Sequence, residues 1–272
     1  LKNVIFMIFA AFLFTACASK EQVAVNEPTN NKQIQMQAKT SEPAIDEVED
    51  EFDDEFAQNE TEEIFDPLSG YNRVMTKFND FAFIYAVNPI AKGYAYITPE
   101  PVRVGLSNAF DNLMFPVRFV NNVLQLKFSN ATEELGRFVV NSTFGIAGLM
   151  DPAKTELGWE AHDEDFGQTL GHYGVGSGFH IVLPLLGPSN LRDVVSMVPN
   201  GYIDPLSYTG ASDIKYKIPN NGLEAMGYAA FKNINTVSLK LGQYENLKKD
   251  ALDLYPFLRD IYEQKRNKEI EE

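Results

Sequence analysis

Between residues 18 and 65 the chain carries fourteen acids against three lysines, Lys20, Lys32 and Lys39, a net charge of −11. The densest run, EVEDEFDDEFAQNETEE, repels itself and has too little apolar surface to offset the entropy of ordering. This divides the chain. Residues 18–65 are predicted to form an acidic disordered tether, 66–266 the folded body and 267–272 a charged, frayed tail. The whole chain sums to −15, which leaves about −5 for residues 66–272, so the acidity belongs to a segment rather than to the fold. No basic patch or basic helix appears, and nucleic acid is disfavoured as a partner. An acidic docking motif anchored by Phe52 and Phe56 is the alternative use of the tether. A calcium loop fails for want of the glycine and the regular acid spacing.

Ahead of the tether stands LKNVIFMIFAAFLFTAC. Lys2 supplies a positive start, Val4 to Phe14 an apolar stretch, and small residues lead to Cys17. This reads as a secretory signal over 1–17 whose end resembles a bacterial lipobox. Cleavage before Cys17 and its acylation are expected. Phe14 stands where leucine is usual, with Leu13 one place early. An uncleaved anchor is the alternative, but the apolar stretch is short for a hydrocarbon layer of about 30 Å. Cys17 is the only cysteine, which excludes an internal disulfide or a cysteine-based zinc site. Ala18, where aspartate is associated with inner-membrane retention, favours the outer membrane. Each buried acyl CH₂ contributes about 0.8 kcal/mol to anchoring.

The body reads as mainly α. Asp66-Pro67 looks like an N-cap followed by a first-turn proline. Tyr71, Met75, Phe78, Ala82 and Tyr85 recur at helical spacing until Asn88-Pro89, which is expected to end the helix. A further segment from Ile90 to Tyr96 precedes a break at Pro99 and Pro101, and further helices are predicted over 102–113 and from Pro116. In the last, Arg118, Asn121, Asn122 and Gln125 fall on one narrow face, with apolar residues around the rest. That polar stripe suits a helix facing lipid outside and a wet passage inside. On spacing alone, a core helix with one solvated edge is favoured. Asn130 and Glu133 form a candidate capping box, Glu133 and Arg137 an i, i+4 pair, and Leu135, Phe138, Val139, Ser142 and Ile146 line one face. Residues 166–186 are expected to be a loop with one or two short strands. Ser189 or Asn190 caps a helix through Val198, and the chain is helical from about 220. No uninterrupted 18-residue apolar run follows the signal, so no ordinary transmembrane helix is expected.

Enzyme chemistry finds weak footing. Gly171, Gly174, Gly176 and Gly178 suggest a phosphate loop, but the residues after them read as a strand, and a phosphate loop needs a helix N-terminus there. They mark either a flexible gate or a plain tight loop. Ser177 lacks the G-x-S-x-G context, since position 175 is valine. A dyad with His172 or His180 would make an envelope hydrolase, the weaker alternative; structural histidines are favoured. His162-Asp163-Glu164-Asp165 reads as a solvated acidic loop rather than a metal site. No catalytic residue, metal or cofactor is assigned.

Several blocks carry a family likeness, in order along about 66–266. They are Asp66-Pro67-Leu68-Ser69-Gly70-Tyr71-Asn72-Arg73, Pro101 to Asn108, Asn112 to Pro116, Arg137 to Gly145, Asp165 to Gly176, and Leu183 to Ser189 with Arg192-Asp193. Tyr255 to Arg266 looks like a closing helix. Together they resemble the MlaA/VacJ lipoproteins; the long acidic tether departs from that family's shorter linkers. The resemblance implies a mainly helical, ring-like protein embedded in the inner leaflet of the outer membrane, lipid-anchored on the periplasmic side. It implies removal of phospholipids from the outer leaflet through an amphipathic channel, with delivery to a periplasmic carrier of the MlaC type. Porin trimers are the implied membrane partners. A structural or adhesin-like lipoprotein is the alternative.

Overall fold

The computed structural model describes residues 65–210 and 215–272. Cys17, the signal and almost all of the acidic tether lie outside the described residues. The described part is mainly helical, as expected. It runs α1 (Ser69–Ala82), a π-helical turn (Phe83–Val87), α2 (Asn88–Ile97), α3 (Glu100–Leu113), α4 (Phe115–Leu124), α5 (Phe128–Thr143) and α6 (Pro152–Thr155). Then come α7 (Phe166–His172), β1 (His180–Leu183), β2 (Gly187–Asn190), α8 (Leu191–Ile203), α9 (Gly222–Leu239), α10 (Gln243–Lys249) and α11 (Leu254–Glu271). Packing between elements closes on itself: α1, the π turn, α2, α9, α3, α4, α7, α11 and back to α1. No helix among the described residues is long and apolar enough to cross a membrane.

Asn88-Pro89 does not end the first helix. The Asn88 N–H reaches back five residues to the Phe83 carbonyl, and α2 starts at once with Pro89 in its first turn. A proline there has no helical hydrogen bond to lose, and the π turn absorbs the change of register. Asp66 is not the N-cap either: the helix starts at Ser69 without a side-chain cap. The Asp66 carboxylate instead accepts hydrogen bonds from Asn72 and the Tyr255 hydroxyl, tying α1 to α11.

The hairpin packs on α1 through two asparagines seven residues apart. Asn72 Nδ2 donates to the His180 carbonyl at 3.0 Å while its Oδ1 accepts the Val182 N–H at 2.8 Å. Asn79 repeats the pattern with the Leu183 carbonyl and the Leu185 N–H. Each side-chain amide acts as a peptide group, so the free edge of β1 is satisfied without a third strand.

The polarity of the molecule is inverted. Its largest fully buried side chains are Glu134, Asn72, Asn121, Asn122, Asn190 and Asn235. Tyr96 is 91% exposed, Phe144 77% and Phe81 61%. Of the predicted stripe, Tyr71 and Phe78 in α1 and Tyr85 in the π turn face outward, while Asn72 and Thr76 of α1 are buried. In α5 the buried residues are Ala131, Glu134, Arg137 and Asn141, and Leu135 and Val139 are outside.

Other local expectations shift. Helix α5 begins at Phe128 rather than with an Asn130 cap, and Glu133 faces His162. Arg137 pairs with Asp151 instead of Glu133, because Asp151 presents a carboxylate inside the protein. A short helix, α7, precedes the hairpin, capped by Asp165 accepting from the Gln168 N–H. Asn190 caps α8, which continues through Pro199 to Ile203. The end of the chain is helical to Glu271, and within it Arg266 is buried.

Candidate functional site

The polar stripe of α4 is bound to its neighbours. Arg118 Nε donates to Glu134 Oε2 at 2.7 Å and its Nη1 to the Asp111 carbonyl at 2.8 Å. Asn121 Oδ1 accepts from the Thr169 hydroxyl at 2.9 Å. Asn122 Nδ2 donates to the His162 carbonyl at 3.1 Å. Gln125 Nε2 donates to Glu164 Oε2 at 2.6 Å, and Lys127 pairs with the other Glu164 oxygen. All four stripe residues are buried. They fasten α4 to α5, α7 and the 160–164 segment, and only Arg118 borders open space. Val117 among its apolar neighbours is inside, whereas Leu124 is exposed.

That open space is a cavity of about 150 Å³ between α3, α4, α5 and residues 151–163, lined by Asp111, Asn112, Arg118, Arg137, Lys154 and Asp163 among others. Arg137 donates to Asp151 Oδ2 at 2.9 Å and to the Trp159 carbonyl, while its buried Nε has no hydrogen-bond partner. Burial would raise the Asp151 carboxyl, but hydrogen bonds from Asn141, Arg137 and the Lys154 N–H carry it below the ordinary carboxylate value. At Asp111, desolvation wins over the charges of Lys232 and Arg118, and the carboxyl sits above its ordinary value. Glu134, Arg137 and Asn141 escaped the stripe reading. Their signal was partial: Glu134, Arg137 and Asn141 recur at helical spacing, but the same helix carries other polar residues, Ser129, Asn130, Thr132 and Glu133 among them.

A second network joins α7, α8 and α11. Arg266 donates to Asp193 Oδ1 and Oδ2 and to both Asp165 oxygens, and the Tyr262 hydroxyl donates to Asp193 at 2.6 Å. Burial would raise the Asp193 carboxyl, yet the bonds from Arg266 and Tyr262 bring it below the ordinary value. Nearby, burial and the bond to Asp66 push the Tyr255 hydroxyl up to about 12.

The four glycines separate. Gly171 lies within α7, where an added Cβ would come within 2.5 Å of the Ile270 side chain, so it serves close packing. Gly174 and Gly178 adopt φ of +84° and +72°, which only glycine takes without strain, and Gly176 has open space around it. The Ser177 hydroxyl contacts only the neighbouring Gly178 carbonyl, at 3.4 Å. His180 is buried and turns to Glu263 at 3.3 Å. Of the 162–165 run, Asp163 faces Arg118, Glu164 meets Gln125 and Lys127, and Asp165 caps α7.

Fold and site together define a helical protein that turns apolar side chains outward and keeps its hydrogen-bonded polar groups within. A family model described as MlaA lipoprotein matches residues 64–269, and the chain belongs to that family. The intermembrane phospholipid transport system lipoprotein MlaA of Haemophilus influenzae is 32% identical over 204 residues, 73% of this chain and 76% of that protein. Its Escherichia coli counterpart is 38% identical over 146 residues, 53% and 58% of the two chains. An uncharacterized protein of Rickettsia bellii is 30% identical over 214 residues, 78% and 80%. A solved structure reported as the structural basis for maintenance of bacterial outer membrane lipid asymmetry is similar with a TM-score of 0.63 and 29% identity. It covers 75% of this chain and 98% of its own.

Proposed function

We propose that this protein removes mislocalised phospholipid from the outer leaflet of the outer membrane and passes it to a soluble periplasmic carrier of the MlaC type. The inverted polarity is the observation that carries this reading. A phospholipid joins a charged head to apolar tails, and moving it between leaflets requires polar groups for the head beside apolar surface for the tails. A hydrogen-bonded interior inside an apolar exterior provides both, and the kinship with phospholipid-transport lipoproteins points the same way. With no spanning helix among the described residues, the protein is proposed to sit in the inner leaflet, anchored by acylated Cys17 and next to porin trimers. Arg118 and its stripe are proposed to hold the polar side of the lipid path together, and the 174–178 loop to gate it. No catalytic residue is proposed: neither His180 nor Ser177 has the partner a hydrolytic dyad needs.

The decisive experiment measures phospholipid exposed on the surface of cells lacking the gene. A rise reversed by the wild type but not by Cys17→Ala supports transport by an anchored protein. Unchanged surface lipid in otherwise intact cells would leave a structural lipoprotein.

A further inference from the structure

Two exposed carboxylates at the cavity have no hydrogen-bond donor among the described residues. Asp111 makes no side-chain hydrogen bond or close ion pair, and Asp163 has only the Arg118 guanidinium, at 3.7 Å. Around them, Arg118 commits Nε and Nη1 to Glu134 and the Asp111 carbonyl, which leaves Nη2 without a protein acceptor. Lys154 pairs with Glu160 at 2.8 Å in an exposed bridge that a stronger acceptor can displace. Both aspartates are exposed at the mouth of the cavity, and partial desolvation together with the neighbouring charges of Asp163 and Asp151 raises the Asp111 carboxyl, so a cation between Asp111 and Asp163 would lower their repulsion. The cavity thus offers both signs of charge within a space of about 150 Å³. That is room for about five waters, the scale of a polar head rather than an acyl chain. Among the described residues no group of three or more His, Cys, Asp or Glu is placed to hold a metal ion.

A strained turn adjoins one end of the cavity lining. Asn141 and Asp151, both on its lining, bracket the turn 144–150, whose Leu149 carbonyl accepts from Asn108 on α3. The turn exposes Phe144, Ile146 and Met150. Ile146 has a φ of +53°, costly for a β-branched residue, and Ala147 follows at +56°. Backbone hydrogen bonds from Ala147, Gly148 and Met150 to Ser142, Asn141 and Gly145 hold this conformation. A strained turn that displays large apolar side chains beside a polar cavity fits a surface on which tails rest.

Resting on the phospholipid-transport reading, we propose that the cavity between α3, α4, α5 and residues 151–163 is a head-group site for zwitterionic amino-phospholipid. Asp111 and Asp163 take the ammonium, Arg118 and Lys154 the phosphate, and Phe144, Ile146 and Met150 the first part of the tails. The site therefore prefers phosphatidylethanolamine to anionic phosphatidylglycerol, whose head carries no cation for the two aspartates.

The test is native mass spectrometry of the full lipidated chain in detergent, titrated with equal amounts of the two lipids. The wild type is expected to carry at least fivefold more phosphatidylethanolamine. Asp111→Asn with Asp163→Asn should bring the ratio within twofold of one, and Asp163→Lys should turn it toward phosphatidylglycerol, both with thermal unfolding no lower than the wild type. Equal binding by the wild type, or a preference unchanged in the double variant, overturns the proposal while leaving lipid transport standing. Binding of neither lipid would instead count against the transport reading itself. Glycerophosphoethanolamine is the soluble competitor: displacement of the lipid at equal concentration would assign the site to a free zwitterion and overturn the lipid assignment.

Discussion

Arg266 shows how much depends on single polar residues here. It is buried, and its guanidinium answers both Asp193 and Asp165. Arg266→Met would leave Asp165 without its cation and Asp193 with Arg192 alone, at a cost of about 3–5 kcal/mol. The check is chemical unfolding in detergent; a loss below 1 kcal/mol would mean that solvent reaches the pair. Acid should act on the same group. Asp193 and Asp151 have folded values below the ordinary 3.8, so their stabilisation is present above 3.8 and is lost as pH falls through the lower folded values. Asp111 has the opposite sign. Its raised value favours the protonated form in the folded state, so Asp111→Asn should raise the melting temperature at pH 7, and the gain should shrink as pH falls through that value. The same substitution is expected to weaken phosphatidylethanolamine preference, so stability and binding should move in opposite directions.

At the scale of elements, polar side chains do the joining. The α4 stripe was legible as a stripe, since four polar residues fall within one face at helical spacing, but its destination was not. Spacing gives a face and says nothing about what covers it. With Asn122 donating to the Arg118 and His162 carbonyls, Asn122→Asp would set a carboxylate against two carbonyl oxygens. A stability loss of about 2–4 kcal/mol is expected in thermal or chemical unfolding; a stable variant with altered transport alone would instead make the stripe a lining of open passage. The hairpin gives a separate test. Asn72→Ala removes the partners of the His180 carbonyl and the Val182 N–H, with an expected loss of about 3 kcal/mol. Hydrogen exchange at Val182 should rise well before exchange in α4 or α5. Equal acceleration everywhere would show that the Asn72 contacts belong to the global fold rather than to the hairpin.

For the molecule as a whole, the apolar exterior is the property to test. Phe81 and Tyr85 pack together in a tilted arrangement, ring centroids 4.7 Å apart, on the outward face of α1 and the π turn. Burying a Phe-sized side chain in lipid is worth about 1.5–3 kcal/mol. Phe81→Ala should therefore lower partition into phospholipid vesicles about tenfold or more, measured by flotation, with unfolding in detergent shifted by less than about 1 kcal/mol. Unchanged flotation with reduced stability would mean that this face packs on protein.

The sequence alone determined that the body is helical, that the chain's acidity is concentrated in one stretch, and that a helix begins at Ser189 or Asn190. These follow from local periodicity, charge and capping chemistry, which act over a few residues. It also carried the ordered family blocks along 66–266. Tertiary structure alone decided that the polar faces turn inward, since an amphipathic pattern is the same whichever side meets solvent. It also brought together groups far apart in the chain: Arg266 with Asp165, and Asn72 with the hairpin. The cavity is of that kind, built where α3, α4, α5 and the 151–163 segment meet. A buried charge needs a partner wherever the chain supplies one, and that partner's position is a property of packing rather than of sequence distance.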